Sequence, residues 1–140
     1  MTEFEKLTET ATEERLYLER ADSGYSFIAK IGEDYLIVLD KEHTMTEKEK
    51  TTVLAHELGH YFTCTLHTVG ESELICARYE RRARYWSVRR LVPLKKLLNA
   101  LNSGVTTLYA LSELFCCTEE LLKPRFNFIS LTGLWRHHVK

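Results

Sequence analysis

His56 and His60 stand four residues apart, with Glu57 beside the first, in the run Val53-Leu54-Ala55-His56-Glu57-Leu58-Gly59-His60. On a helix, residues at this spacing project from one face, so the two imidazoles can share one cation. Glu57 is turned about 100° from His56, beside such a cation but poorly placed to ligate it. It is left free to act as a base toward a water that the cation activates. The flanking Val53, Leu54, Ala55 and Leu58 are apolar. They point to a buried helix, where each polar group without a partner costs about 1–3 kcal/mol. Gly59 costs about 1 kcal/mol against alanine inside a helix, so its smallness is expected to serve close packing or substrate approach.

Hydrolytic zinc sites use three protein ligands and leave a position open for water. The pattern H-E-x-x-H-x-x-G-x-x-H would supply the third from a nearby histidine, but this chain has Thr63 and Leu66 at the required places. Five other residues lie downstream: Cys64, His67, Glu71, Glu73 and Glu80. Cys64 and His67 share a face with His60, yet a straight helix carries them away from the metal. His67 escapes that limit if the helix ends near Cys64 and the chain folds back. Glu71 and Glu73 fall in or near a connecting loop. Glu80 is favoured, because Cys76, Ala83 and Ser87 give its own helix a small-residue face for close approach. Oxyanion stabilisation is also expected of such a site; Tyr61, His67 and Tyr85 are the candidates, each equally able to be a packing residue.

The elements that must hold these groups can be read along the chain. Phe4, Leu7, Ala11 and Leu18 predict a first helix over about residues 2–20, stopped by Asp22-Ser23-Gly24. Two β-type runs, Tyr25–Ile31 and Tyr35–Asp40, flank Gly32-Glu33-Asp34 as a hairpin. Leu36-Ile37-Val38-Leu39 is apolar on both faces, which predicts a strand covered on both sides. Thr46 and Glu49 form a capping box for the metal-site helix, expected to run to about Cys64. A less ordered stretch, 67–72, leads to a helix over 73–91, then Pro93 opens another over 94–101. Short helices near 106–115 and 118–123 precede Pro124 and a C-terminal tail. The expectation is one α+β domain: an N-terminal helix, a short β-hairpin or small sheet, then a mainly helical remainder.

Composition narrows the classes. The chain has 140 residues, 44% hydrophobic and 28% charged, with two prolines and a net charge of −1. That describes one ordinary globular domain, and neither a disordered chain nor a membrane-spanning one. Its four cysteines form no C-x-x-C pair, so free thiols are expected rather than a disulfide framework. The opening MTEFEKLTET is acidic and amphipathic, unlike a signal or transit peptide, which predicts a cytoplasmic setting. Residues 78–96 carry eight arginines and lysines against Glu80 alone. This stripe is read as a solvated face paired with acids elsewhere, and the interleaved Tyr79, Tyr85 and Trp86 as core-facing. No direct nucleic-acid binding is expected.

Leu54-Ala55-His56-Glu57-Leu58-Gly59-His60-Tyr61 and Tyr79-Glu80-Arg81-Arg82-Ala83-Arg84-Tyr85-Trp86, with Leu91-Val92-Pro93 after them, resemble the ImmA/IrrE family of bacterial and phage metallopeptidases. Tyr109–Phe115 and Thr118-Glu119-Glu120 are similar to that family's C-terminal helices. The resemblance implies a zincin-like domain over residues 1–126, with a tail of unknown role over 127–140. It implies zinc held by His56, His60 and Glu80, with Glu57 as general base. It also implies a cytoplasmic regulatory role, commonly the cleavage of a DNA-binding helix-turn-helix repressor, often on a phage or integrative element. One residue departs from the pattern: many relatives carry Asn or Asp after the E-x-x-A alanine, where it could support a zinc ligand, and this chain has Arg84. The rival reading is a metal-containing module that docks to a partner without proteolysis. A purely structural zinc site fits less well, because three ligands suffice only for an open site and Glu57 would have no purpose.

Overall fold

The computed structural model describes residues 1–133. Helix α1 spans Glu3–Glu13 and opens on a capping box between Thr2 and Glu5. It stops seven residues earlier than the periodicity predicts. Arg15 takes a left-handed backbone conformation, φ 60°, and Leu16 N–H closes back on the Ala11 carbonyl at 2.9 Å, a helix-ending motif. Beyond it the apolar residues Leu16 and Leu18 alternate, and Tyr17–Ala21 forms strand β1. Leu18 therefore serves a sheet rather than a helix face. Pairing with a distant strand overrides local helix preference here, and a single sequence window holds no trace of that partner.

Strands β2 (Phe27–Ile31) and β3 (Asp34–Asp40) form the expected hairpin, with Ile31 opposite Asp34 and Gly32 at φ 65° in the turn. The sheet order is β1-β3-β2, with β1 parallel and β2 antiparallel to β3. The central position of β3 accounts for its apolar run. Ile37 and Leu39 enter the main core while Val38, also buried, faces the other way.

Helix α2 (Glu47–Phe62) has the Thr46–Glu49 capping box. It buries Leu54, Ala55 and Leu58 completely against the core. Helix α3 (Glu73–Leu91) crosses it, making the most extensive helix–helix contact in the fold. The crossing point is Gly59: a methyl group there would lie 2.5 Å from the carbonyl oxygen of Ala83, itself fully buried. Main chain meets main chain, so no side-chain rotation could relieve the clash.

Helices α4 (Leu94–Asn102), α5 (Leu108–Phe115) and α6 (Glu119–Thr132) complete the described chain. The helix expected to end at residue 123 instead runs through Pro124 to Thr132. The proline removes one backbone donor, and the carbonyl it leaves belongs to the exposed Glu120. Arg125 donates to the Val92 carbonyl at 3.0 Å, and Ile129 is buried in the core, so tertiary contacts carry the helix past the proline. Residues 127–132 of the expected tail are thus helical, while 134–140 lie outside the described residues. No helix among the described residues is long and apolar enough to cross a membrane.

The basic stripe is solvated, but its expected acidic partners are few among the described residues. Arg90 lies 3.9 Å from Glu3, and Arg89 stacks over Tyr85 at 5.5 Å. Trp86 packs on Phe62, with ring centroids 5.1 Å apart. Tyr85 is a correction: it is 58% exposed, because its position on α3 faces away from α2.

Gly59→Ala tests the crossing. Helix propensity alone would stabilise the variant by about 1 kcal/mol. The clash with Ala83 predicts a net loss of about 1–3 kcal/mol, read as a lower denaturant midpoint at unchanged m-value.

Candidate metal centre

Helix α2 carries His56 and His60 one turn apart, and α3 brings Glu80 up to both. His56 Nε2 lies 3.1 Å from Glu80 Oε1 and His60 Nε2 lies 2.7 Å from Glu80 Oε2. One donor atom from each of the three residues falls within 4.8 Å of the others, a group that could hold a metal ion. Glu80 sits one turn before Ala83 on the face that meets Gly59, so the tight crossing sets its reach.

The second nitrogen of His60 is also engaged. Its Nδ1 lies 2.9 Å from the Thr65 carbonyl oxygen and 3.1 Å from Thr65 Oγ1. A carbonyl can only accept, so Nδ1 carries a proton, and Nε2, which donates to Glu80 here, is the nitrogen left to give its lone pair to a metal. The chain reaches this position because Cys64 adopts φ 56° just after α2, and Thr65 N–H closes on the His60 carbonyl at 2.9 Å. Thr65 is completely buried, and Thr63 Oγ1 bonds its hydroxyl at 2.8 Å. Cys64 is exposed and, among the described residues, joins no group that could hold a metal, because it forms the turn.

His67 does fold back toward the site. Its Nε2 lies 2.6 Å from Glu80 Oε2, and its Nδ1 bonds Glu71. This imidazole, bonded to both carboxylates, holds Glu80 from outside the three-donor group. Glu71 is committed to His67 and to Thr68 N–H at 3.1 Å. Glu73 is the exposed first residue of α3.

Charge and burial divide the two site carboxylates. Hydrogen bonds from His56 and His60, with help from His67, hold Glu80 far below the usual carboxylate range despite its partial burial. Glu57 is 6% exposed, and burial, reinforced by the Glu80 charge, pushes its pKa up to about 8. A divalent cation against the neighbouring donors would work in the opposite direction and favour the ionised carboxylate. Two imidazoles and one carboxylate, with one tautomer fixed by Thr65, make a donor set that fits zinc in an open hydrolytic site.

His56, Glu57, Glu80 and Arg84 line a cleft of about 640 Å³, with Tyr25 and His43 among its other walls and Glu120 and Pro124 from α6. Of the three oxyanion candidates, Tyr61 donates to Glu14 at 2.9 Å, Tyr85 faces solvent, and neither lines the cleft. His43 does, and sequence reasoning missed it. Its Nδ1 bonds Asp40, a carboxylate 2% exposed that also accepts from Ser23 N–H at 3.2 Å and Gly24 N–H at 3.0 Å. The Asp40 hydrogen bond raises the His43 pKa against the effect of burial. The available signal was Asp40-x-x-His43 at the end of the central strand, where a buried acid needs a partner.

The raised Glu57 pKa predicts how metal-free protein responds to pH. The folded state holds a proton that the unfolded chain releases near pH 4.5. Stability is therefore fully present below that pH and lost as pH rises through about 8, at about 1.4 kcal/mol per pH unit. After chelation, Glu57→Gln should flatten this part of the profile between pH 5 and 8, checked by denaturant melts. Parallel profiles for the two proteins would contradict the burial argument.

The profile of the M78 peptidases, described as the IrrE N-terminal-like domain, matches residues 2–127. No curated protein and no solved structure matches the chain. The profile spans α1, the sheet, both crossing helices and most of α6, so the donors of the metal centre and the elements that position them fall within it. The chain belongs to the IrrE N-terminal-like family of M78 peptidases, a metallopeptidase-type domain.

Proposed function

We propose that the chain is a zinc-dependent endopeptidase, with His56, His60 and Glu80 as metal ligands and Glu57 as the general base. The observation that carries this reading is the convergence of three donor atoms at the wall of a cleft, beside a buried carboxylate. Zinc, when bound, supplies Lewis-acid polarisation of the carbonyl and acidifies water. Glu57 takes a proton from the attacking water and returns it to the leaving amine as the C–N bond breaks. Thr65 holds His60 in one tautomer, and His67 steadies Glu80. His43, braced by Asp40, is the donor we assign to the developing oxyanion.

The substrate we propose is a DNA-binding repressor of the helix-turn-helix class, met in the cytoplasm. Support for it is the resemblance of the two ligand-bearing segments to a family of regulatory peptidases. Co-expression with a neighbouring repressor, followed by mass spectrometry, should yield chelator-sensitive fragments. An intact repressor held in a stable complex would favour docking without proteolysis. Glu57→Gln should retain zinc and lose at least 100-fold in cleavage, on the order expected for a positioned base. Unchanged cleavage would remove the mechanism, and lost zinc would make Glu57 a ligand.

Ligand variants test the donor set separately, by metal content after dialysis. Glu80→Ala should lose the zinc held between His56 and His60, and Cys64→Ser should lose none. His67→Ala should weaken retention by about 10–100-fold, as removal of an outer hydrogen bond does. Full occupancy in Glu80→Ala would overturn the assignment.

A further inference from the structure

Beyond the His56–His60–Glu80 group, a second set of ligand atoms converges at the start of α3. One atom each from His67, Glu71 and Cys76 lies within 4.8 Å of the others. The three come from the loop before α3 and from the first turn of α3 itself. The arrangement is built rather than incidental. Glu71 Oε1 accepts from Thr68 N–H at 3.1 Å, which fixes the loop, and Oε2 faces His67 Nδ1. The Glu71 side chain is only 10% exposed.

The charge balance around this cluster is incomplete. Burial, with the charges of Glu71, Glu80 and Glu73, raises the Cys76 pKa. The one cationic partner of Glu71 among the described residues is His67, which must also serve Glu80. Arg78, Arg81 and Arg82 lie close in sequence but extend to solvent. A nearly buried carboxylate beside a thiol, short of positive charge, is an environment that attracts a cation.

We propose that His67 Nδ1, a Glu71 carboxylate oxygen and Cys76 Sγ form a second binding site for a borderline-soft divalent cation of the zinc class. Nitrogen, oxygen and sulfur donors together select such ions over magnesium or calcium. Donors about a tetrahedral ion stand roughly 3.5 Å apart, so modest side-chain rotation closes the set around an ion. Binding releases two protons to solvent, one from the Cys76 thiol and one from His67 Nδ1, which donates to Glu71 when no ion is bound.

The His67–Glu80 hydrogen bond gives the second site a defined relation to the first. With an ion on Nδ1, Nε2 keeps its proton and donates to Glu80 Oε2. Glu80 then orients a ligand of the second ion, while His67 orients a ligand of the first. One hydrogen bond is the outer support of both sites. Metal binding at this second site does not depend on whether the chain cleaves peptides.

Cobalt(II) titration of the full metal-free chain under anaerobic conditions tests it. The first site offers no sulfur, so a near-ultraviolet sulfur-to-cobalt charge-transfer band reports only the second. Two equivalents should bind, with the band present. Cys76→Ser should abolish the band and keep one equivalent, and Glu71→Gln should shift its appearance to at least tenfold higher cobalt. The band should survive Cys64→Ser, and it should survive Glu80→Ala, in which the first site is disabled. One equivalent without a band in the wild type would overturn the proposal, as would a band that persists in Cys76→Ser. A normal band with no cobalt bound by His56 and His60 would leave this site standing and remove the first.

Discussion

Between Gly59 and the main chain of Ala83 there is no space for a single methyl group, and the functional geometry rests on that contact. Two helices normally pack with their axes 8–10 Å apart, separated by side chains. Here the absence of a side chain at Gly59 lets α3 lie against α2. Glu80, one turn before Ala83, then reaches two imidazoles on the neighbouring helix. The same closeness buries Glu57 beside Glu80 and sets two carboxylates against each other. One is held ionised by histidines and the other is driven toward its neutral form. Packing decides which of them can ligate and which can carry a proton.

The end of α2 extends this logic. A helix that ran straight on would take Cys64, Thr65 and His67 away from His60. The left-handed turn at Cys64 brings Thr65 under the ring of His60 and sends His67 back to Glu80. The bonds that satisfy the last turn of the helix and those that orient the donor atoms are made by the same few residues. Thr65 is fully buried for both reasons.

Much of the site was legible because its signals are local. The His56–His60 spacing, the capping box at Thr46 and the hairpin at Gly32 each depend on residues within one or two turns. Glu80 was legible from its small neighbours, and Gly59 from its cost inside a helix. What could not be read depends on partners far along the chain. Strand β1 exists because β3 lies beside it, so Leu18 fitted a helical stripe equally well. Helix α6 outlasts Pro124 because Arg125 and Ile129 find contacts on other elements. His43 escaped notice because its role depends on Asp40 being buried at the end of a strand. His67 was weighed as a direct ligand of the first site, and only the turn at Cys64 brings it instead into a hydrogen bond with Glu80.

The parallel pairing of β1 with β3 has a consequence for how the molecule assembles. Strands β2 and β3 meet across a two-residue turn and can zip together from local encounter. Strand β1 leaves the ribosome before either, yet it has no edge to join until β3 exists. The chain between Ala21 and Phe27 must then cross the end of β3 to set β1 in register. Such a closure is slower than hairpin formation because more chain must be ordered before any contact repays it. Until then the β1 side of β3, whose middle residues are all apolar, stands open as an unpaired edge. The hydrophobic strand at the centre of the finished sheet is therefore the part of the nascent chain most in need of protection from other chains.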